Sequence, residues 1–188
     1  MARRTRTSTE ILQVKVTLNG IRPLIWRHLL VRSDMTLARL HFALQEAMGW
    51  TNSHLHMFVI GDRRIGDLRQ DEGELGLEDE RKVKLGELIG PGQSLTYEYD
   101  FGDGWIHEVK VEKGLERDER LHYPLCVGGA RACPPEDVGG DGGYEDFLAA
   151  LADPDHERHD DYVSWAGGVF DPEGFDLNAV NRALRGLR

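Results

Sequence analysis

The stretch YEYDFGDGWIHEV, residues 97–109, constrains the fold more than any other part of the chain. Residues that alternate between apolar and polar flank a turn at 102–104, a pattern typical of a β-hairpin. With a three-residue loop whose last glycine is left-handed, Tyr99 lies opposite His107. The apolar side chains, Phe101 and Trp105 among them, then share one face, on which His107 is the polar exception, and Ile106 is the one apolar residue on the other face. The stretch therefore predicts a hairpin with one face in a core.

A second hairpin is predicted in ILQVKVTLNGIRPLIWRHLLV, residues 11–31. The pair Asn19-Gly20 suits the positive φ angles of a two-residue turn, which places Leu18 opposite Ile21. The alternating apolar residues of both strands then lie on one face, because side chains repeat every second residue along a strand. The register and the apolar pattern thus agree with one another.

The remaining segments predict one helix between strands and several helices at the C-terminal end. Leu37, Leu40 and Leu44 recur at helical spacing, and residues 53–66 have the pattern of a central strand. The mostly charged residues 67–84 predict a solvated loop, and residues 123–143 are too rich in glycine and proline for a regular element. Three helices are expected after residue 143. The order indicates an α+β fold with a mixed or antiparallel sheet, built from the N-terminal hairpin, one packing helix, a second hairpin and C-terminal helices.

Size and composition predict one domain over residues 11–188, preceded by a flexible basic terminus at 1–10. Within that domain, residues 67–84 are expected to be exposed and residues 143–188 to be helical. No apolar run is long enough for a membrane span or a secretory signal, so a cytoplasmic protein without membrane contact is expected. Two cysteines without such a signal also favour a reducing compartment.

The charge of the chain bears on its partners. The formal net charge is −10, which disfavours non-specific binding to nucleic acid because phosphate backbones are repelled. Arg3, Arg4 and Arg6 form the local cluster that could still meet a phosphate. An acidic chain with this many aromatic residues is more consistent with a protein or peptide partner.

Three histidines suggest a metal site. His54 and His56 are two residues apart on a predicted strand, so their side chains point to the same side. If the strand that carries His107 lies beside theirs, three imidazoles can share one divalent ion, with zinc, iron, nickel and manganese as the candidates. The opposing interpretation is that these are core residues, since a histidine on an aromatic face is often buried and hydrogen-bonded.

Carboxylates near these histidines offer further ligands or a general base. Asp103 lies at the tip of the second hairpin, and Glu136 and Asp137 lie in the PPED segment. Any of the three could complete a metal site or activate water beside it. The predicted register places Asp100 on the face opposite His107, which makes Asp100 the poorer ligand.

Familiar catalytic motifs are absent from the sequence. Asp100-Phe101-Gly102 has no accompanying glycine-rich phosphate loop or H-R-D segment, so a protein kinase is excluded. The GGDGG run lacks the Gly-Lys-Ser/Thr ending of a P-loop, and no G-x-S-x-G elbow exists for a serine hydrolase.

Five segments, taken in order, resemble the motifs of the plasmid pRiA4b ORF-3-like family: LNGIRPLIWRHLLV, LHFALQEAMGW, SHLHMFVIG, YEYDFGDGWIHEV and CVGGARACPPEDVGGDGGYEDFLAAL. The resemblance spans about Leu12 to Leu184 and implies an α+β fold. Members of the family carry labels such as transposon passenger or resolvase, so it also implies an association with mobile elements. It supplies no catalytic residues, and no serine of this chain has the arginine-rich setting of a recombinase nucleophile.

Two functions therefore stand as hypotheses, and the sequence leaves open whether the chain is an enzyme. In the first, the chain is a binding module for a protein or peptide and belongs to a mobile element. In the second, it is a metal-dependent hydrolase or a nuclease-like enzyme. His54, His56 and His107 would then hold the ion, and Glu136, Asp137 or Asp103 would serve in catalysis.

Overall fold

A computed structural model describes residues 10–69 and 75–187 of the protein, and the expected α+β fold is confirmed. One sheet of eight strands has the order β5-β4-β3-β6-β7-β1-β2-β8. Every neighbouring pair is antiparallel except β4 and β5, so the sheet is mixed. The strands are β1 (Ile11–Leu18), β2 (Ile25–Arg32), β3 (His56–Ile60), β4 (Arg63–Gly66), β5 (Glu78–Asp79), β6 (Ser94–Tyr99), β7 (Trp105–Leu115) and β8 (Leu125–Ala130).

The helices are α1 (Leu37–Met48), α2 (Leu85–Leu88), α3 (Gly140–Ala152), α4 (His159–Trp165) and α5 (Leu177–Gly186). In the described part of the chain, no helix combines the length and the apolar character that a bilayer crossing requires. The first nine residues of the predicted basic terminus, with Arg3, Arg4 and Arg6, lie outside the described residues.

The N-terminal hairpin forms, but the predicted register is wrong. Leu18 lies opposite Ile25 rather than Ile21, and residues 19–24 form the connection. The strand does not turn at Asn19 because its backbone N–H continues the pairing with β7, donating to the Ile106 carbonyl at 2.8 Å. Gly20 keeps the positive φ expected of it, 84°, and a side chain there would overlap the Asp141 carboxylate. The positive φ is what favours glycine at this position, because the exposed Asp141 side chain can move aside.

The second hairpin also forms with a shifted register. Tyr99 lies opposite Trp105 and Tyr97 opposite His107, so residues 100–104 form the loop. The displacement is an even number of residues, and the predicted apolar face is therefore confirmed. Its members within the strands are all buried: Leu95, Tyr97, Tyr99, Trp105, His107, Val109 and Val111. Phe101, predicted on the same face, lies in the loop instead and is 37% exposed.

The helix predicted from Leu37, Leu40 and Leu44 is α1, and both of its ends are capped. The Thr36 hydroxyl accepts a hydrogen bond from the Arg39 backbone N–H, and Gly49 ends the helix in the left-handed conformation with φ 89°. Arg27 of β2 is buried against the same end, where its Nε donates to the Ala47 carbonyl at 2.8 Å. Its guanidinium also donates to the Arg131 carbonyl at 2.8 Å, so a buried cation joins α1 to the segment after β8.

Two predicted irregular segments contain strands. β8 lies in the glycine-rich segment, and the small residues there admit the aromatic ring of Phe175, which a side chain at Gly129 would overlap. The Asn181 amide pairs with the outer edge of β8, where its oxygen accepts from the Cys126 N–H and its nitrogen donates to the Cys126 carbonyl, each at 2.9 Å. Glycine content alone predicts an irregular segment here, but Gly129 provides space for the Phe175 ring and does not end the strand.

The charged segment 67–84 also departs from the prediction of a solvated loop. Its residues 70–74 lie outside the described residues, but β5 pairs with β4 and Glu80 is buried. The strand predicted over residues 53–66 is in fact two strands, β3 and β4, joined by a tight turn. The three helices expected at the C-terminal end are α3, α4 and α5, of which α3 begins at Gly140, slightly before the predicted start.

Candidate functional site

Three loops meet at one end of the sheet, one of them the turn between β6 and β7. They are residues 50–55 after α1, residues 100–104 between β6 and β7, and residues 134–139 before α3. Hydrogen bonds connect them: Trp50 Nε1 to the Pro134 carbonyl at 2.9 Å, Asp100 N–H to the Leu55 carbonyl at 2.9 Å, and Gly139 N–H to Asp103 Oδ2 at 3.1 Å.

One histidine lies between two carboxylates at this junction. His54 Nδ1 is 3.6 Å from Asp100 Oδ2, and His54 Nε2 is 3.2 Å from Asp137 Oδ1. One donor atom from each of the three residues lies within 4.8 Å of the others. Among the described residues, this is the group of histidine, cysteine and acidic side chains with the geometry to share one ion.

Asp100 turns toward His54 because its backbone leaves the strand. Its φ is 57°, in the left-handed region, and its Oδ1 accepts from the N–H groups of Gly102 at 3.0 Å and Asp103 at 3.3 Å. The carboxylate thus closes its own loop and directs Oδ2 at the imidazole. Asp100 thus lies beside His54, because the strand alternation on which its predicted orientation rested does not extend to a residue in this conformation.

Unusual backbone conformations concentrate in these loops. Four non-glycine residues have positive φ in the described part of the chain, and three of them, Asn52, Asp100 and Asp137, belong to the three loops. Asparagine and aspartate tolerate this region better than other residues, but it still costs free energy. Such conformations cluster at functional sites, where the surrounding structure maintains them.

His56 does not join His54. Its Nε2 is 2.7 Å from Glu80 Oε2, and both side chains are nearly inaccessible, at 4% and 5% exposure. Its ring also stacks on that of His41. β3 begins at His56, so His54 precedes the strand and the alternation that would align the two histidines does not apply.

His107 is likewise separate from His54. It is fully buried, and its Nδ1 lies 3.1 Å from the Trp105 carbonyl and 3.3 Å from the Tyr97 carbonyl. Burial lowers the pKa of His107 to about 4, so the imidazole is neutral. β6 lies between β3 and β7, which separates their side chains by roughly 10 Å. The structure therefore does not bring the three predicted histidines to one point.

Glu136 and Asp103 hold the loops in place. Glu136 accepts hydrogen bonds from the Thr51 backbone N–H at 3.0 Å, from the Thr51 hydroxyl and from the Tyr99 hydroxyl. Burial disfavours the carboxylate, but these hydrogen bonds outweigh it and keep the pKa of Glu136 below its ordinary value. Both oxygens are engaged, so Glu136 is placed to fix the loops rather than to accept a proton. Asp103 accepts from Gly139 as described above.

Sequence reasoning missed Thr51, Tyr99 and the orientation of Asp100. The signal for Asp100 was available, because an aspartate two residues before a glycine, as in Asp100-Phe101-Gly102, favours a side chain that bonds to the backbone two residues on. Tyr99 was assigned to the core, but its hydroxyl also accepts from the Ser53 N–H at 3.0 Å. That contact depends on the fold of a distant loop and leaves no local pattern.

The chemistry of this group suits a divalent cation. Metal–ligand bonds of about 2.0–2.2 Å place two donors of one ion roughly 3.0–3.5 Å apart. The three donor atoms here lie within 4.8 Å of one another, so they would move slightly closer around an ion held by one nitrogen of His54. One imidazole and two carboxylates form a mixed nitrogen and oxygen set, which suits manganese, iron or zinc. The Asp137 side chain is 72% exposed, so water has access to the outer side of the group.

Comparison with known proteins gives consistent results. Residues 10–179 match the family described as plasmid pRiA4b ORF-3-like protein. The uncharacterised protein y4hQ of Sinorhizobium fredii is 39% identical over 180 residues, which cover 94% of this chain and 92% of that protein. The crystal structure of MM3350, a protein of unknown function from Methanosarcina mazei Go1, is similar with a TM-score of 0.84 at 40% identity, covering 92% of this chain and 98% of the other. The chain therefore belongs to the plasmid pRiA4b ORF-3-like family.

Proposed function

We propose that the protein binds a divalent metal ion through His54, Asp100 and Asp137 and uses that ion in hydrolytic chemistry. The observation that carries the proposal is the position of His54 between two carboxylates contributed by two other loops. The proposed ligands are one histidine and two aspartates, in place of the three histidines that the sequence predicts.

The unmet polar contacts of the group favour an ion. His54 Nε2 is buried and has no hydrogen-bond partner among the described residues, because its approach to Asp137 has the distance but not the geometry of a hydrogen bond. The Asp100 carboxylate is about nine-tenths buried. Within the described chain, no lysine or arginine pairs with Asp100 or Asp137, so the imidazole is the nearby group available to offset two negative charges. A divalent cation would balance both carboxylates.

Three protein ligands leave coordination positions for water and for an oxygen of a substrate. A bound divalent cation lowers the pKa of its water and polarises an ester or phosphoryl oxygen, which is the basis of metal-assisted hydrolysis. Glu136, Thr51 and Tyr99 fix the loops that supply the ligands. Supporting hydrogen bonds of this kind orient the ligands, and their loss weakens metal binding.

The metal site can be tested by calorimetric titration of chelator-treated protein with MnCl₂ and with ZnCl₂. We expect one ion per chain for the unaltered protein, and an affinity more than about 100-fold weaker for His54→Ala and Asp137→Asn. His122→Ala is the matched control, because His122 is exposed and outside the site, and it should bind normally. Equal binding by His54→Ala and the unaltered protein would remove the site.

Hydrolysis is tested separately on the same proteins with bis(p-nitrophenyl) phosphate and p-nitrophenyl acetate. Turnover should depend on the added metal and be absent in His54→Ala. Stoichiometric metal binding without turnover of either ester would reduce the proposal to a structural or regulatory ion.

A binding module is the second candidate function. The observation that favours it is the exposure of apolar side chains near the C-terminal helices, where Trp165 is 47% exposed and Val169 fully exposed. A protein or peptide partner fits this surface on an acidic chain. An association with mobile elements belongs to this candidate and rests on the family resemblance alone.

A further inference from the structure

A cavity of about 280 Å³ opens beside the proposed metal site. Its lining residues come from the loop before α3 and from the region of α4: Asp137, Val138, Arg158, Asp161, Tyr162 and Trp165. Asp137 belongs to both places, so a molecule in the cavity would lie next to an ion held by His54 and its partners. The volume is at the lower end of the range for ligand pockets, which suits one side chain better than a nucleotide.

The charge that the cavity offers is negative. Arg158 is its one cationic lining residue, and its Nη1 donates to Asp146 Oδ2 at 2.8 Å. The guanidinium also lies 4.1 Å from the centre of the Tyr162 ring, so it is occupied by a carboxylate and an aromatic face. Asp161 has no such partner: in the described part of the chain, no cationic side chain pairs with it.

Trp165 supplies an aromatic surface next to that carboxylate. Asp161 and Trp165 are four residues apart on α4, which places them on the same side of the helix. The indole contacts Phe147 and Tyr162 edge to face, at centroid distances of 5.7 and 6.3 Å, and 47% of the residue is exposed. A planar cation can therefore stack on the indole while it pairs with Asp161.

We propose that the cavity binds the side chain of an arginine in a peptide. A guanidinium stacks on tryptophan and forms paired hydrogen bonds with a carboxylate, whereas an ammonium does so less well. The wall of the cavity already contains this combination, in which Arg158 lies over Tyr162 and bonds to Asp146. Asp161 and Trp165 present the same two groups to an incoming arginine. The net charge of −10 favours its approach.

The placement of this peptide beside an ion rests on the proposed metal site, whereas recognition of the guanidinium depends on Asp161 and Trp165. With both occupied, the peptide backbone next to the arginine would lie near Asp137. The combination would make an arginine-containing peptide the substrate class of the metal-dependent reaction.

The probe is a fluorescein-labelled peptide Gly-Ala-Arg-Ala-Gly, measured by fluorescence anisotropy beside versions with citrulline or glutamate at the central position. Citrulline keeps the shape of arginine without its charge. We expect the arginine peptide to bind at least about 10-fold more tightly than either counterpart. Asp161→Asn and Trp165→Leu should each weaken it by a similar factor, and Trp165→Leu retains apolar volume so that folding is preserved. Asp62→Asn, which removes an exposed charge elsewhere, is the matched control and should bind normally.

Equal binding of the citrulline and arginine peptides would overturn the proposal, as would unchanged binding by Asp161→Asn. His54→Ala and chelator-treated protein separate this result from the proposed function, because both should retain arginine-peptide binding while they lack the metal. If the ion binds and the peptide does not, the arginine pocket fails and the metal site stands. If the peptide binds and the ion does not, the reverse holds.

Discussion

The imidazole rings of His41 and His56 lie face to face, with centroids 3.5 Å apart and planes 5° apart. His41 Nδ1 is 2.8 Å from the Tyr97 hydroxyl, and its Nε2 is 2.7 Å from Asn52 Oδ1. His56 Nε2 is 2.7 Å from Glu80 Oε2. Two protonated rings at this separation would repel, so the stack holds at most one positive charge. It also links the core to the loop that carries His54, because Asn52 belongs to that loop.

Acidification should destabilise the protein between pH 6.5 and about 4. Burial, with a smaller contribution from His56, lowers the pKa of His41 to about 3, and burial lowers that of His107 to about 4. Below pH 6.5 the unfolded chain takes up protons at both residues and the folded chain does not, so stability falls as the pH falls. The free energy of unfolding, from urea titrations at pH 7, 6 and 5, should decrease by up to about 2.7 kcal/mol per pH unit.

Depressed carboxylate pKa values act in a lower range. Hydrogen bonding to Arg69 lowers the pKa of Asp67 to about 2, so the contribution of Asp67 to stability is present above pH 4 and is lost only below it.

His107→Leu should halve the slope of the unfolding free energy against pH between pH 6 and 5, whereas His122→Ala should leave that slope unchanged. A stability that is flat over this range would show that the buried histidines are protonated in the fold.

Separating the buried pair His56–Glu80 should cost more than removing both partners. His56→Leu leaves a buried carboxylate without its partner, and such losses typically cost about 3–5 kcal/mol. The double variant His56→Leu with Glu80→Leu removes both buried polar groups together and should recover most of the loss. Thermal unfolding of the single and double variants measures both effects. Additive losses in the double variant would mean that the two side chains do not depend on one another.

Tyr99→Phe should weaken metal binding as well as the fold. The change leaves the Ser53 N–H without its acceptor and removes one donor from Glu136, at a cost of about 1–3 kcal/mol. Because both contacts position the loops that carry His54 and Asp137, manganese affinity should fall by roughly 10–100-fold. Tyr123→Phe is the matched control, because its hydroxyl also accepts one hydrogen bond, from the Asp118 N–H at 3.3 Å, but lies outside the three loops, so metal affinity should stay normal. Normal metal affinity in Tyr99→Phe would separate the tyrosine from the site.

Asp137→Gly should abolish metal binding without loss of stability. Asp137 has φ 62° and a side chain that is 72% exposed, so glycine relieves the backbone and removes little packing. We expect the free energy of unfolding to stay constant or to rise by up to about 1 kcal/mol. Asp137→Asn, which keeps the conformation but not the charge, should also lose the metal. Marked destabilisation by glycine would identify Asp137 as a structural residue instead.

The sequence predicts the faces of both hairpins and misses both registers. Each return strand is displaced by an even number of residues, so the side chains expected inside are inside, apart from Phe101 in the second loop. The turns differ because distant residues decide them: Asn19 continues its pairing with β7, and the Asp100 carboxylate closes the second loop. Local turn propensity carries no information on either contact.

The candidate site was predictable in part, for the same reason. His54 was predicted as a metal ligand, and Asp137, Asp103 and Glu136 as further ligands or a general base. The way these residues assemble was not predicted. His56 is paired with Glu80 in the core, His107 lies against a backbone carbonyl, and Asp100 lies beside His54 in their place. Periodicity describes residues within strands, whereas these ligands come from loops.

The Asn181 amide on the outer edge of β8 has a consequence for the behaviour of the protein at high concentration. A free strand edge is a template for another chain, and here the two main-chain groups of Cys126 are already paired. At the far side the last strand, β5, has two residues, too few to recruit a partner firmly. Growth of the sheet by addition of a neighbouring molecule is thereby hindered at both ends, which protects an open eight-stranded layer from fibre formation.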